Sequence, residues 1–342
     1  MKLGLGLNYW VARQPEGQQE LIEEAEALGF DSVWTGEAWG SDALTPLAWM
    51  GSRTSRLRLG TAILQMAART PTATAMAAMT MDHLTGGRFV LGLGASGPQV
   101  VEGWYGAPFP RPLERTREYV EIVRQATRRE VVSHQGRHYQ LPHPGGTGLG
   151  KALRTNIEPV RADIPILLAA EGPKNVALAA EVADGWLPLF YSPYADTAYR
   201  ESLEAGFALS GEEDKASRFE VVGPVSVIVD DDVEAAADRL RPRLALYIGG
   251  MGARGANFHA AVFERMGYGE VCARVQDLFL AGEKDAASAA IPLELVEKVA
   301  LVGPKAKIAE ELPAWTGSLL TTMVVAAAGD RSALRTMAEL LA

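Results

Sequence analysis

The chain has 342 residues, with 33 Lys and Arg against 42 Asp and Glu, a formal net charge of −9, and 48% hydrophobic residues. The acidic balance excludes a general nucleic-acid binder, which needs concentrated basic surface. The lone Cys272 excludes a disulfide framework and any multi-cysteine metal or iron–sulfur site. No apolar run reaches the roughly 18 residues of a membrane span, and the N-terminus lacks the basic-then-apolar pattern of a signal peptide, so a cytoplasmic protein without membrane or nucleic-acid partners is expected.

Short apolar strands alternate with helical stretches from the first residues. Residues 3–7 read as a first strand, and 15–28 as a helix with Leu21, Ile22, Ala25 and Leu28 at helical spacing and Gly29 as its stop. A second strand follows at 32–35. Thr45-Pro46 reads as an N-cap with proline at the first helical position, opening a helix that reaches about 54. A third strand is expected at 57–64. Thr70-Pro71 repeats the cap signal for a helix to about 84, and Thr85-Gly86-Gly87 turns into a fourth strand at 88–93. A helix is expected at 112–127, a small hairpin at 131–141 around Gly136, and a Gly/Pro-rich loop at 142–159. A fifth strand at 164–170, a helix at 174–183, a sixth strand at 185–189 and a seventh at 219–230 come next. A helix over 232–248, an eighth strand at 321–328 and a closing helix at 331–341 complete the pattern.

Eight nearly continuous apolar strands separated by helices fit parallel strands buried on both faces. The fold class is therefore α/β, and a (β/α)8 TIM barrel forming one domain over 1–342 is expected, the surplus lying in insertions after the fourth and seventh strands, at about 98–160 and 249–312. A doubly wound open sheet is the competing arrangement.

In a closed barrel, ligands meet the loops after the carboxyl ends of the strands. Those loops hold Asn8, Tyr9 and Trp10; Glu37 and Trp39; Ser96, Gly97 and Gln99; and Glu171, Gly172, Pro173, Lys174 and Asn175. Tyr9, Trp10, Trp39, Trp104, Phe190 and Tyr191 either enclose a flat ring or close the mouth by packing. The helix start near Lys174 and Asn175 suits a phosphate, with Lys174 adding a point charge. Gly92-x-Gly94-x-x-Gly97 superficially matches a dinucleotide fingerprint but lacks its following helix and acidic residue. Glu37 either serves the chemistry or anchors a neighbouring loop. His83 reads as structural. His134, His138 and His143 read as a surface hairpin rather than a metal site, and no metal is expected. Hydrolase chemistry has no nucleophile elbow here. Cys272 reads as a small buried hydrophobe.

Residues 29–34 (Gly-Phe-Asp-Ser-Val-Trp), Leu59-Gly60-Thr61-Ala62, Arg69-Thr70-Pro71, the run from Asp82 to Gly97, Pro112 with Arg115 to Tyr119, and Ala183-Asp184-Gly185-Trp186 carry a resemblance. Through them the chain resembles the luciferase-like superfamily of flavin and deazaflavin enzymes, and within it the class using coenzyme F420, related to methylenetetrahydromethanopterin reductase. The resemblance implies a luciferase-like barrel with an extended cofactor across its carboxyl-end face and hydride transfer to or from a small organic substrate, most readily as a reductase. It implies a non-proline cis peptide at Ala62–Ile63, so that Thr61, Ala62 and Ile63 support the middle of the deazaflavin. Ser96, Gly97 and Gln99 would lie beside the cofactor, Ala170 and Glu171 to Asn175 would hold its phosphate or ribityl portion, and Asn8 and Trp39 would lie near the reactive ring. Glu37, with Tyr9 and Glu102 behind it, is the first choice for a proton source. The sugar-phosphate dehydrogenases of the superfamily carry Asp-His after the second strand, whereas Glu37-Ala38-Trp39 stands here, which weakens an alcohol dehydrogenase assignment. A homodimer is implied by analogy. An FMN monooxygenase of the same fold, with reduced flavin activating dioxygen, is the alternative, and a non-enzymatic ligand-binding barrel is a further one.

Overall fold

A computed structural model describes the whole chain except residues 11, 253–254 and 327–330. Its strands are β1 (Lys2–Asn8), β2 (Ser32–Thr35), β3 (Arg58–Thr61), β4 (Leu64–Gln65), β5 (Phe89–Gly94), β6 (His134–Gln135), β7 (Gln140–Leu141), β8 (Ile166–Ala169), β9 (Gly185–Leu187), β10 (Glu220–Val229), β11 (Ala300–Gly303) and β12 (Thr322–Ala326). Eight of them, β1-β2-β3-β5-β8-β9-β10-β12, pair in parallel, and the ring closes through β9 with β10 and through β12 with β1. This is the expected (β/α)8 barrel. The open sheet is excluded by that closure.

The lumen is filled by Trp34, Val90, Leu167, Leu187, Val222 and Val324. Trp34 fits only because position 60 is glycine: a Cβ there would sit 2.2 Å from the indole ring. The indole Nε1 donates to Ser32 Oγ at 2.9 Å, so the buried N–H is satisfied inside the barrel. Outside the strands, helices such as Pro71–Thr85 and Pro112–Thr127 bury their apolar stripes in the main core. Thr70 caps the first of these, accepting from Ala73 N–H at 3.3 Å with Pro71 as the first helical residue, and Gly86 at φ 63° ends it.

Several motif residues of the sequence turn out to be braces. Asp82 is buried and receives the Arg161 guanidinium, while His83 Nε2 lies 2.6 Å from the Glu158 carbonyl; together they tie the end of the long loop to the helix Pro71–Thr85. Arg88 donates to the carbonyls of Leu57, Thr54 and Thr85. Asp184 accepts from Ile166 N–H at 2.7 Å and pairs with Arg124, which fixes the start of β8.

Three local expectations are corrected. The helix expected from Thr45 begins at Leu44, because Asp42 Oδ1 caps it by accepting from Leu44 and Thr45 N–H, both at 2.9 Å. The third strand is interrupted: β3 stops at Thr61, the Ala62–Ile63 peptide is cis, and β4 resumes against β5. The helix over 232–248 divides into Val233–Asp238 and Arg241–Ala245, followed by a wider turn at Leu246–Gly250. A 15-residue helix, Asp196–Ser210, fills a stretch left unassigned from the sequence. The hairpin is present as β6 and β7, and the eighth strand runs to Ala326, with 327–328 outside the described residues.

β10 is ten residues long, and its two halves have different neighbours. Its first residues pair with β9, and beyond the three-residue β9 its last four pair with β11. The helices between β10 and β11 share a second hydrophobic cluster built on Phe190, Ile248, Phe263, Val275 and Leu295. This cluster stands beside the carboxyl end of the barrel and supplies one wall of the site. Cys272 belongs to it. Burial, with Glu264 nearby, pushes its thiol up to about 12, which leaves it an inert hydrophobe.

Candidate functional site

A cavity of about 860 Å³ opens at the carboxyl ends of the strands. That volume lies in the range of sites for a cofactor together with a small substrate. Its floor is the top of the lumen filling, Trp34, Leu187, Val222 and Val324. The residues expected from the sequence that line it are Asn8, Tyr9, Glu37, Trp39, Ala62, Ile63, Ser96, Gly97, Gln99, Ala170, Glu171, Gly172, Pro173, Lys174 and Asn175.

Backbone conformation marks the same place. Asn8 and Ser96 are two of only four non-glycine residues with positive φ among the described residues, at 55° and 60°, and both line the cavity. Left-handed backbone at a serine is costly and is retained where the surroundings over-determine it. Ile63 packs over Gly94, where a Cβ would come within 2.4 Å of its side chain, so the bulge between β3 and β4 is pressed against the end of β5. At Gly172 a Cβ would meet nothing within 4 Å, which leaves open space directly before the helix Pro173–Val182. Lys174, exposed in its first turn, faces this space without a carboxylate partner among the described residues.

Two expected residues are not at the cavity. Thr61 is fully buried below it; its hydroxyl donates to Gly92 O at 2.8 Å and accepts from Gly92 N–H at 2.9 Å, joining β3 to β5. Glu102 is exposed just past the short helix Pro98–Val101, outside the lining. Of the loop aromatics, Tyr9 and Trp39 reach the cavity. Trp104 is exposed, and Tyr191 is buried against Trp186, Tyr199 and Trp315, with its hydroxyl on Asp196.

Glu37 lines the cavity, but its carboxylate is fully engaged. Oε1 accepts from Gln65 N–H at 2.8 Å and Arg69 Nη1 at 2.6 Å, and Oε2 accepts from Ala43 N–H at 3.1 Å. Gln65 Nε2 returns two bonds, to Glu37 O and Ala38 O. The geometry is that of a staple between the loop after β2 and the bulge after β3.

Sequence reading missed the wall supplied from beyond β10: Arg243, Tyr247, Met251, Phe258 and His259. His259 Nδ1 lies 2.8 Å from Glu171 Oε1, and its Nε2 has no protein partner among the described residues. Glu171 Oε2 is buried and unpartnered. Asn257 positions the histidine by accepting from His259 and Ala260 N–H. A buried carboxylate against one imidazole nitrogen leaves the other as a proton acceptor or donor toward the cavity. The available signal was an Asn two residues before a His, too common a pattern to single out.

Comparison with known proteins agrees with this architecture. The sequence profile of the luciferase-like monooxygenase family matches residues 8–322. A Mycobacterium tuberculosis protein, provisionally named a coenzyme F420-dependent oxidoreductase, is 55% identical over 100% of this chain and 99% of its own length. The 5,10-methylenetetrahydromethanopterin reductase of Archaeoglobus fulgidus is 32% identical over 67% of this chain and 65% of its own. Among solved structures, the coenzyme F420-dependent tetrahydromethanopterin reductase of Methanopyrus kandleri superposes with a TM-score of 0.80 at 21% identity, covering 99% of this chain and 97% of that one.

Proposed function

Since this chain belongs to the luciferase-like monooxygenase family, we propose that it is an oxidoreductase that binds coenzyme F420 in the carboxyl-end cavity and moves a hydride between the deazaflavin and a small organic substrate, working as a reductase. The observation that carries this reading is the cavity itself: a large slot whose floor and bulge are apolar, with an open glycine and an unpaired lysine at one end. A flat ring suits the first part and an anionic tail the second. When bound, the deazaflavin supplies or takes the hydride at its central ring carbon.

The protein's own residues do the rest. Ala62, Ile63 and Gly94 would back the middle of the ring, with Ser96, Gly97 and Gln99 beside it. Gly172, Lys174 and Asn175 would hold the phosphate. Trp39, Phe109, Leu113 and Met251 would exclude water, which restricts hydride loss. His259 Nε2, oriented through Glu171, is the atom placed to give or take the proton that accompanies the hydride. Tyr9 is a second protonated group on the wall. Glu37 serves the site by holding its loops.

Anaerobic titration with F420 and FMN tests this reading. Deazaflavin is expected to bind and, once reduced, to pass its hydride to added acceptors. Lys174→Ala should weaken deazaflavin binding about tenfold, the loss of one charge-assisted contact, without changing the unfolding temperature. Tight FMN binding with oxygen uptake driven by reduced flavin would overturn the reading.

A further inference from the structure

Arg241 and Arg243 lie two residues apart at the start of one helix and have opposite surroundings. Arg241 is held by Glu234, Asp238 and the Ile291 carbonyl. Arg243 has no carboxylate partner among the described residues. Its guanidinium carbon sits 5.8 Å from the Tyr247 ring centroid, and the side chain is half-buried in the cavity wall. Leu189 and Pro224 line the same stretch of wall. A half-buried guanidinium without a carboxylate partner keeps its donors available to an anion entering the cavity.

Its position separates it from the cofactor's anionic end. Arg243 is close enough to Tyr9 to act on that hydroxyl electrostatically, and Tyr9 follows β1. Lys174 follows β8, which is the fifth strand of an eight-strand ring in which β1 is the first. Arg243 itself belongs to the segment after β10, the seventh strand, so the two cations come from different loops of the mouth. An extended cofactor with its phosphate at Lys174 leaves Arg243 to a second anion.

We infer that Arg243 is the specificity determinant for the substrate, and that the substrate class is an apolar or aromatic molecule bearing a carboxylate, which the guanidinium receives in a two-pronged bond while Tyr247 and Trp39 cover the apolar body. The planar fork of arginine matches a carboxylate in a way lysine does not. This inference rests on the F420 reading above, because it gives the Lys174 end of the slot to the cofactor.

The test uses phenylacetate and its neutral isostere phenylacetamide, titrated by tryptophan fluorescence into the full-length protein loaded with F420. The acid should bind at least tenfold more tightly than the amide, and the preference should fall as salt is added. Arg243→Leu should abolish the preference while leaving F420 affinity and thermal unfolding unchanged, and Arg243→Lys should restore part of it. Equal binding of acid and amide to the unaltered protein overturns the inference even if Arg243→Leu fails to fold. Loss of F420 affinity in Arg243→Leu, with the acid-to-amide ratio intact, also overturns it and assigns the arginine to the cofactor. Failure of F420 to bind the unaltered protein is a separate result that sinks the parent reading. In that case an acid preference in the unloaded protein would still support an anion subsite at Arg243.

Discussion

At the amino-terminal mouth of the barrel, Arg58 reaches from the first residue of β3 to the first residue of β10, donating to both Glu220 oxygens at 2.9 and 2.7 Å and to Asp31 at 3.0 Å. β3 and β10 stand third and seventh in the ring, so this side chain crosses the opening and closes it. Burial alone lowers the pKa of Arg58, but its two acidic partners outweigh that and raise it. At the carboxyl-terminal mouth Glu37 is paired with Arg69, but other charged groups are left incomplete: Lys174 and Arg243 lack carboxylates among the described residues, Glu171 Oε2 lacks a donor, and His259 Nε2 lacks a partner. The same eight strands thus carry a finished ion-pair network at one end and unspent polar groups at the other. Stability resides in the first, and binding capacity in the second.

The plug between the two ends gives the strongest test of that separation. Trp34→Ala removes the largest side chain of the lumen, and Gly60 leaves no neighbour able to fill the gap. Unfolding in urea should show a loss of about 3–5 kcal/mol. Ligand affinity should fall too, because Trp34 is also the cavity floor. A smaller loss would mean that the strands collapse around the void, and the ends would then be mechanically coupled rather than partitioned.

Arg58→Met probes the closed end alone. It strands Glu220 and leaves Asp31 only Lys2 at 3.4 Å; the two acidic side chains are each 23% exposed, so the cost should be roughly 1–3 kcal/mol, below that of a fully buried pair. Urea unfolding should register this while F420 affinity stays within twofold. A large change in affinity would show that the amino end shapes the site and would break the division of labour.

The difference between the ends also explains what the sequence disclosed. Strand positions, the Thr70 cap, the Gly86 stop and the loops of the carboxyl face are local patterns, and local patterns are legible. The location of the Ala62–Ile63 cis peptide was legible only through resemblance. Glu37 lines the cavity while Thr61 lies buried below it, and the bonding partners of both, Arg69, Gln65 and Ala43 in one case and Gly92 in the other, are set by tertiary contact. Arg243, Tyr247 and His259 come from the region beyond β10, where broken helices and a second core defeat a single period. A cavity wall contributed by such a segment has no signature along the chain.

Tyr9 offers the finest distinction. Burial first, and Tyr247 second, push its hydroxyl above the ordinary value of 10.0, while Arg243 opposes them. Below about pH 10 the phenol is neutral in both folded and unfolded chains, so its contribution to stability is whole there. As pH rises further the unfolded chain releases the proton first, which favours unfolding, and the contribution drains away until the raised folded value is passed. Tyr9→Phe cannot release that proton. The stability difference between the parent protein and Tyr9→Phe, measured in urea at a series of alkaline pH values, should therefore be flat to about pH 10 and then shift in favour of the variant; the other buried tyrosines are common to both chains and cancel. In an Arg243→Leu background the one group opposing the rise is gone, so the shift should continue to higher pH. A difference that stays constant from about pH 8 to 12 would mean the hydroxyl is as well solvated as in the unfolded chain.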